Sequence, residues 1–402
     1  MVTIFSWIFI ISLIIIGYSY IGYGLLAALL VSIKTAINWI TSKDKSIKSD
    51  EDLPEVTLLI AAYNEEAFIK QKVENSLSLS YPEGRLKLIF VTDGSTDRTV
   101  DILKKYSGIR ILHASDRSGK TAALNRAMKT VNTPITIFCD ANTILCEDAV
   151  LRIVEHYKNP NIGGVAGEKR VAANAEDDAK AASEGIYWKY ESILKKIDSA
   201  LYTVVGAAGE LFSIRTDLWE HLDHSIILDD FVISIRINLK GYKIAYSPDA
   251  YAIERPSHSI VEEQKRKIRI SAGAFQAMLL LKEIFNVFRH PVLFFQFFSH
   301  RFLRWVMVPL CLPLLFLSNA VLLFSADEPL FFTLFITFQL LFYLFAVLGS
   351  YSNSNTSFKL MRICYYIAFM NFTVYLGFIR FLRGSQSAVW EKAKREVSSI
   401  SI

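Results

Sequence analysis

The sequence has few cysteines, and their spacing excludes the sites that cysteine usually builds. The four residues are Cys139, Cys146, Cys311 and Cys364, and they form no closely spaced pair. Zinc sites need such pairs, and disulfide frameworks need a dense, even set in a small secreted chain. We therefore expect four thiols that pack as small apolar side chains, without metal or disulfides.

Charged residues are also scarce, at 21% of the chain, and the net charge is only +5. The sequence has no basic stripe with interleaved aromatic residues, so a nucleic-acid partner is not expected. It also has no repeats and no low-complexity tracts. The Lys and Arg excess lies beside apolar segments, in TSKDKSIKSD, QKRKIRI and RFLRGSQSAVWEKAKRE. Basic residues next to membrane spans favour the cytoplasmic side.

Apolar residues make up 52% of the chain and are concentrated at its two ends. The run 5–33 carries no charge and is long enough to cross a bilayer. It exceeds the apolar region of a signal peptide and lacks a preceding positive segment. Three more candidate spans follow at 302–324, 330–351 and 360–381. The sequence therefore predicts an integral membrane protein.

Composition divides the chain into five parts. Residues 1–41 are an N-terminal transmembrane segment, and 42–263 have the mixed texture of a globular domain. In residues 264–300 charged residues break the apolar runs, which predicts interfacial helices lying on the membrane. Residues 301–382 form a C-terminal transmembrane region of about three segments, and 383–402 form a basic tail.

The globular part alternates strands with helices. PEVTLLIAAYNEE, LKLIFVTDGS, IRILHAS and PITIFCDANT read as strands, and helical apolar spacing follows each of them. This alternation predicts an α/β fold with a doubly wound, mostly parallel sheet. Ligands of such sheets bind outside the carboxyl ends of the strands, where Tyr63, Asp93 and Asp140 lie.

Two carboxylates at this edge suit a divalent cation. Asp140 and Asn142 flank one alanine, and hard oxygen ligands suit Mg²⁺ or Mn²⁺ on a diphosphate. Lys120, directly after Gly119 at a helix start, could meet phosphate or be a solvated lysine. The alternatives to a binding role are purely structural: a helix or turn cap for Asp140 and an Asx-turn for Asp93. SGKT is not a P-loop, because no glycine lies five residues before Gly119.

These motifs also carry a family resemblance. AAYNEE, VTDGSTDRT, GKTAALN and FCDANT, in this order, resemble a family 2 glycosyltransferase of the GT-A fold. VVGAAGELFSIR resembles the acceptor-side segment with Gly209 and Glu210, and ILDDFVISIRINLKGYKIAYSPDA resembles the segment with the catalytic acid pair. RKIRI stands where membrane-bound synthases carry Gln-x-x-Arg-Trp. The resemblance covers roughly residues 54–280 and extends to the flanking spans.

The resemblance implies roles for individual residues. Tyr63, Glu65 and Asp93 should hold the nucleoside with Lys120 nearby, and Asp140 should bind the metal. Asn142 replaces the second Asp of the usual Asp-x-Asp, so the metal is held more weakly or by Asp140 alone. Asp230 should be the general base that takes a proton from the acceptor hydroxyl. Asp229 stands beside the base where many relatives have Glu, and we expect it to cap the following helix.

The acceptor side departs from the family pattern. Arg269 keeps its motif position, but Arg266 replaces Gln and Ile270 replaces the Trp that stacks on the acceptor sugar in polymerising relatives. This replacement argues against processive synthesis. Trp390 and the basic residues behind it resemble the mobile gating tail of polysaccharide synthases, or form a juxtamembrane basic segment. Trp188 either contacts the acceptor or packs in a helix.

The sequence thus predicts an inverting, metal-dependent membrane glycosyltransferase. The expected donor is a nucleotide-sugar, taken to be a UDP-sugar, and the expected acceptor is a growing polysaccharide, with export of the product coupled to synthesis as an option. The alternative is transfer of a single sugar to a polyprenyl phosphate or other lipid-linked acceptor. An inactive scaffold or transporter is disfavoured because Asp93, Asp140 and Asp230 are all present. The expected location is a bacterial inner membrane with a cytosolic catalytic domain.

That orientation leaves a conflict in the topology. With one N-terminal span and three C-terminal spans, the basic tail would lie outside, against the positive-inside rule. Either one C-terminal segment is not a full crossing, the N-terminal run enters twice, or the tail is external.

Overall fold

One eight-stranded sheet organises the globular part of the protein. The computed structural model describes residues 1–41, 53–172, 178–254, 260–325, 329–351 and 359–384. The strand order is β3-β2-β1-β4-β7-β6-β8-β5. The strands are β1 (Val56–Ala62), β2 (Leu86–Asp93), β3 (Ile109–Ala114), β4 (Ile135–Asp140), β5 (Thr143–Leu145), β6 (Ile162–Val171), β7 (Leu211–Arg215) and β8 (Lys243–Glu254).

The strand directions confirm the predicted mostly parallel sheet. β1 pairs in parallel with β2 and β4, β2 with β3, and β6 with β8, whereas β7 and β5 run antiparallel to their neighbours. Ala61 is in register with both Val91 and Asp140, so the carboxyl ends of three strands meet at one edge. Because β7 runs the other way, with Leu211 opposite Cys139, its amino end reaches the same edge.

Helices cover both faces of this sheet. The helices are α1 (Val2–Gly17), α2 (Tyr23–Thr41), α3 (Ile69–Leu77), α4 (Thr99–Leu103), α5 (Lys120–Met128), α6 (Ala149–Glu155), α7 (Asp178–Leu201), α8 (Asp229–Leu239), α9 (Ile260–Leu280), α10 (Pro291–Phe297), α11 (Val308–Ser325), α12 (Pro329–Tyr351) and α13 (Lys359–Leu382). Side chains alternate along β1, so Leu59 packs on one face with α5 and α8 while Leu58 and Ile60 pack on the other with α3 and α6. Burial on both faces explains the nearly continuous apolar strands.

Four helical segments are long and apolar enough to cross a membrane: Val2–Ile37, Pro291–Ser325, Pro329–Tyr351 and Leu360–Leu382. They match the four predicted spans, but the second begins earlier than the sequence suggested. α10, a π-helical segment (Phe298–Met307) and α11 form one continuous helix, so the expected boundary between residues 300 and 301 falls inside it. Pro291 starts this helix at a position where a missing N–H costs nothing.

Among the membrane helices, α11 runs antiparallel to α1, and α12 runs antiparallel to α11. Phe9 of α1 packs with Leu322, near the end of α11. The side-chain amide of Asn319 in α11 donates to Gln339 in α12 at 2.9 Å. Since α11 leaves the π-helical segment beside the sheet and α12 runs back, the end of α12 at Tyr351 returns to the side of the bundle that carries the sheet.

Helix α13 has both ends on that same side. Its first turns cross the end of α12, where a Cβ at Gly349 would meet the carbonyl oxygen of Met361. Its last turns pack on α9, with Phe378 against Phe275 at 5.0 Å between ring centroids. Helix α9 itself lies on the globular domain, because a Cβ at Gly273 would contact Leu228 and Ile227. These contacts favour the topology in which one C-terminal segment is not a full crossing.

This arrangement predicts where the end of the chain is accessible. We expect Arg383→Cys to react with an impermeant maleimide only from the side of the globular domain, and Ser325→Cys only from the opposite side. Both positions are exposed, and the four native cysteines are buried, so the background labelling should be low. The measurement is labelling in right-side-out and inverted membrane vesicles. Labelling of the two positions from the same face would contradict the topology.

A buried ionic cluster joins the globular domain to the membrane helices. We call Glu191, Asp198, Tyr23, His300, Arg301 and Arg304 the anchor cluster. Glu191 of α7 lies 2.6 Å from Arg304 and 3.2 Å from Arg301. Burial raises the pKa of Glu191, but the two guanidinium groups outweigh it and hold that pKa well below its usual range. Asp198 accepts from the Tyr23 hydroxyl and lies 2.6 Å from His300 Nδ1.

Candidate active site

A small pocket opens at the carboxyl ends of β1 and β2. Its lining includes the predicted residues Tyr63, Asp93 and Lys120. It also includes Arg117, which the sequence analysis missed and whose guanidinium lies 3.8 Å from the centroid of the Tyr63 ring. Gly94 permits this approach, since a Cβ there would lie 2.7 Å from that of Arg117. The segment SDRSGK could have indicated Arg117, because this arginine directly precedes the Ser-Gly-Lys sequence whose lysine was considered for phosphate binding.

Asp93 is fixed by the loop that precedes α5. Its Oδ2 accepts from the backbone N–H of Ser118 at 2.9 Å and of Gly119 at 2.6 Å. These bonds bridge to a distant segment, so the carboxylate does not close a local Asx-turn. Among the described residues Asp93 Oδ1 has no hydrogen-bond partner, although Arg126 lies 3.7 Å away. One oxygen thus holds the loop, and the other is available to a ligand.

The two oxygens can be tested separately. Asp93→Asn can keep one carbonyl oxygen for Ser118 and Gly119, but it replaces the second oxygen with a donor. We expect this variant to keep its melting temperature and raise the KM for the donor roughly 10- to 100-fold, the loss of one charge-assisted hydrogen bond. Asp93→Ala should raise KM and also lower the melting temperature. A lower melting temperature with unchanged KM in both variants would make Asp93 purely structural.

Glu65 and Asn142 occupy less direct positions. Glu65 is buried, and its backbone N–H donates to Thr99 Oγ1 at 2.7 Å. It does not line the pocket in the described part of the chain, so its role toward the nucleoside stays a prediction. Asn142 is buried two residues after Asp140, and its role as a metal ligand also stays a prediction.

Three charged side chains converge next to Gly209. A Cβ at Gly209 would lie 3.3 Å from Lys120 Nζ, 3.4 Å from Asp230 Oδ2 and 3.9 Å from Asp140 Oδ2. Lys120 Nζ itself lies 3.0 Å from Asp140 and 3.5 Å from Asp229. Burial would lower the pKa of Lys120, but the surrounding carboxylates raise it, so this ammonium group stays charged. The backbone at Gly209 therefore forms the floor of a charged centre.

The adjacent carboxylates Asp229 and Asp230 differ in their surroundings. The prediction that Asp229 caps α8 is wrong: Leu228 occupies the N-cap position, and in the described part of the chain the Asp229 carboxylate lies near Lys120 instead. Asp230 Oδ1 accepts from the backbone N–H of Phe231 at 2.8 Å. Burial, and then the negative charge of Asp229, raise the pKa of Asp230 to about 7. A carboxyl group with this pKa can exchange a proton near neutral pH.

The donor set fits a cation that is shared with a diphosphate. The described residues contain no group of three His, Cys, Asp or Glu side chains that could hold a metal alone. Asp140 nevertheless borders the centre. Burial raises the pKa of its carboxyl group, and a cation nearby would lower that pKa again. Within the described part of the chain, Asp229 Oδ2 is also buried without a hydrogen bond. Mg²⁺ commonly binds through one or two carboxylates together with substrate phosphates.

A second cavity, of about 240 Å³, is lined by Asp230 and is separate from the pocket at Tyr63 and Asp93. Of the predicted acceptor-side residues, Glu210 and Arg266 line it. Lys169, another lining residue that the sequence analysis missed, contacts Glu210 at 2.6 Å and also pairs with Glu254. Arg269 lies outside this lining, and burial lowers its pKa. Trp390 lies outside the described residues.

Comparisons with known proteins show what the chain is similar to. The family model described as Glycosyl transferase family 2 matches residues 57–222. A poly-beta-1,6-N-acetyl-D-glucosamine synthase of Staphylococcus aureus (strain COL) is 26% identical over 288 residues, which is 68% of each chain. The synthase of the same name from Staphylococcus epidermidis is 26% identical over 282 residues, 66% of each chain.

A solved structure resembles most of the chain. The mannosyltransferase PcManGT from Pyrobaculum calidifontis, in complex with GDP-Man and Mn²⁺, superposes with a TM-score of 0.68 at 18% identity. The match covers 94% of this chain and 100% of that one. At this identity the likeness concerns the fold.

Proposed function

We propose that this chain, which has a GT-A fold, is a family 2 glycosyltransferase that extends a polysaccharide from a nucleotide-sugar donor with inversion at the anomeric carbon. The position of Asp230 carries the proposal. This carboxylate lies between the Lys120–Asp140 pair, on the nucleotide side, and the 240 Å³ cavity on the other side. A base between donor and acceptor is the arrangement that a single in-line displacement requires.

The donor side has groups for each part of a sugar nucleotide. Tyr63 and Arg117 stack to form one wall of the pocket, and Asp93 Oδ1 can accept a hydrogen bond from the nucleobase of the donor. Lys120 is positioned to neutralise charge that develops on the leaving diphosphate. Asp140, with or without Asn142, would hold Mg²⁺ or Mn²⁺, which supplies further positive charge to the diphosphate when bound. The chemistry accommodates either a UDP-sugar or a GDP-sugar.

Asp230 is the proposed general base. Because its pKa is about 7, the ionised form is available at neutral pH and can take the proton from an acceptor hydroxyl as the new bond forms. With one base and no covalent intermediate, the hydroxyl attacks from the face opposite the diphosphate. Inversion follows from that geometry.

The similarity to poly-beta-1,6-N-acetyl-D-glucosamine synthases supports a polymeric product. So does the cavity, which is walled partly by α9 and α13 at the membrane helices. Ile270, where the resemblance calls for Trp, favours the alternative of single transfer to a lipid-linked acceptor. Sugar nucleotides are made in the cytosol, so we place the catalytic domain there, with the helices in the inner membrane.

Product size tests the proposal. Purified membranes are incubated with a panel of labelled UDP- and GDP-sugars, with and without Mn²⁺, and the products are sized. We expect one donor to give chains much longer than one sugar. A product that carries a single added sugar would establish the alternative. Failure of every donor to transfer sugar to any acceptor would refute both.

A further inference from the structure

The 240 Å³ cavity contains an aromatic residue that no motif indicates. Its lining brings together the acid-pair helix α8, the motif helix α9, helix α13 and the π-helical segment before α11. The volume is below the roughly 300–1,000 Å³ typical of pockets for drug-sized ligands, and it suits one sugar unit. Two tryptophans, Trp188 and Trp305, line it, and Ile270 lines it as well.

Ile270 cannot stack on a sugar. It occupies the motif position at which the resemblance calls for Trp, and its side chain borders the cavity. A pyranose ring presents C–H groups from its face, and these pack well against the electron-rich face of an aromatic ring. An aliphatic side chain offers burial without this directional contact. The site therefore needs another aromatic residue if it is to orient an acceptor sugar.

Trp305 is held close to the base. Its ring packs on Phe231, the residue after Asp230, at 5.5 Å between centroids and an interplanar angle of 52°. The guanidinium of Arg301 lies 5.6 Å from the Trp305 ring centroid. Arg301 is in turn fixed by Glu191 of the anchor cluster at 3.2 Å. The indole of Trp305 is thus positioned by buried neighbours while remaining partly exposed.

Trp188 is less suited to the same role. The ammonium groups of Lys169, Lys267 and Lys195 lie 4.9, 5.8 and 5.9 Å from its ring centroid. Its electron-rich surface therefore already faces cations. In the described part of the chain Trp305 faces one cation, Arg301, whereas Trp188 faces three, so Trp188 is the more crowded ring and serves as a wall of the cavity.

The helix type provides a second, independent indication. Trp305 and Arg301 both belong to the ten-residue π-helical segment Phe298–Met307. π-Helical turns are rare and occur frequently at functional sites. Here the segment directs Arg301 and Trp305 into the cavity, while His300 and Arg304 reach Asp198 and Glu191 in the anchor cluster.

We propose that Trp305 is the acceptor-sugar platform of this enzyme, supplied by the membrane-proximal π-helical segment in place of the aromatic residue missing at Ile270. The inference rests on the proposed function. It makes Trp305 a residue that determines how long the acceptor stays bound, and hence the length of the product. The donor site is untouched by this role.

Separate readouts of transfer to glycan and transfer to water test the proposal. With the donor selected by the panel, we expect Trp305→Ala to shorten the products and reduce transfer to glycan at least tenfold, while donor hydrolysis stays within about twofold. Trp305→Phe should restore most of the product length. Adding Ile270→Trp to Trp305→Ala should restore part of it, because both positions line one cavity. Trp7→Ala, an exposed tryptophan of α1, is the matched control and should change neither readout.

Each outcome decides the matter. Unchanged product length in Trp305→Ala would overturn the proposal. An equal fall in hydrolysis, transfer and melting temperature, without rescue by Trp305→Phe or Ile270→Trp, would assign Trp305 a packing role and also overturn it. If Trp305→Ala does not fold, product length is read from Trp305→Leu against Trp305→Phe. If the wild-type enzyme hydrolyses the donor but elongates no glycan, the proposed function itself has failed.

Discussion

Replacement of Asp230 by Asn is expected to lower turnover by roughly two to four orders of magnitude, the usual contribution of a general base. The amide keeps the shape of the side chain and can still accept the Phe231 N–H, so the fold and donor binding should be preserved. The measurement is the initial rate of sugar transfer at saturating donor, together with donor affinity. Asp101→Asn, an exposed aspartate in α4, is the matched control.

The pH dependence gives the same residue a second signature. The pKa of Asp230 is raised to about 7, so below that pH the carboxyl group is protonated and cannot act as a base. Activity should therefore rise with pH through about 7, and this limb should be absent from the residual activity of Asp230→Asn. The sign for stability is opposite. The raised pKa favours the folded state at low pH, and this contribution is lost as pH rises through about 7.

Asp230→Asn should consequently be at least as stable as the wild type at pH 8, since it never carries the buried charge. A variant that is inactive yet equally stable separates catalysis from folding. Turnover close to that of the wild type would remove Asp230 from the mechanism.

Replacement of Asp140 by Ala is expected to abolish the dependence of nucleotide binding on metal. Calorimetry with UDP and with GDP, in the presence and absence of Mn²⁺, measures this directly. For the wild type, Mn²⁺ should strengthen binding, and chelation should reverse it. Asp140→Ala should lose at least roughly 10- to 100-fold in the Mn²⁺-dependent affinity, a loss that even partners behind the metal ligands commonly cause. Unchanged affinity with Mn²⁺ would place the metal elsewhere.

Asn142 provides the matched comparison. Asn142→Asp creates a second carboxylate two residues from Asp140, and we expect tighter Mn²⁺ binding, because two anionic oxygens attract a divalent cation more than one does. Asn142→Ala should have a smaller effect than Asp140→Ala. If both Asn142 variants behave like the wild type, Asp140 alone holds the metal.

The strand-end residues were predictable from sequence because local rules fix them. Apolar runs that end in Asp93 and Asp140 define parallel strands, and parallel register then places both residues at one edge. Arg117 and Trp305 were missed for the opposite reason. Each reaches the site from a loop or helix whose position depends on tertiary packing, and no period in the sequence encodes that.

The role of Asp229 and the topology of α13 could not be fixed from the sequence, for physical reasons. Which of two adjacent carboxylates turns inward at the start of α8 depends on the rotation of the first helical turn and on the distant Lys120, so Asp229 was assigned to the wrong role. Hydropathy does not decide whether α13 crosses the membrane, because a helix packed along the membrane-facing side of a domain is as apolar as one that crosses. Only contacts such as Phe378 on Phe275 distinguish the two.

The anchor cluster holds the globular domain against the membrane helices. Pulling α7 away from the π-helical segment would separate Glu191 from Arg301 and Arg304, and Asp198 from His300. Breaking one such buried pair costs about 3–5 kcal/mol. We therefore expect the domain and the membrane helices to move as one unit during turnover, with Asp230 at a nearly constant distance from those helices. Under the proposed function, a lengthening glycan must be displaced past a stationary base, one sugar at a time. If the globular part is expressed alone, we expect it to expose charged groups of the anchor cluster without their partners and to aggregate.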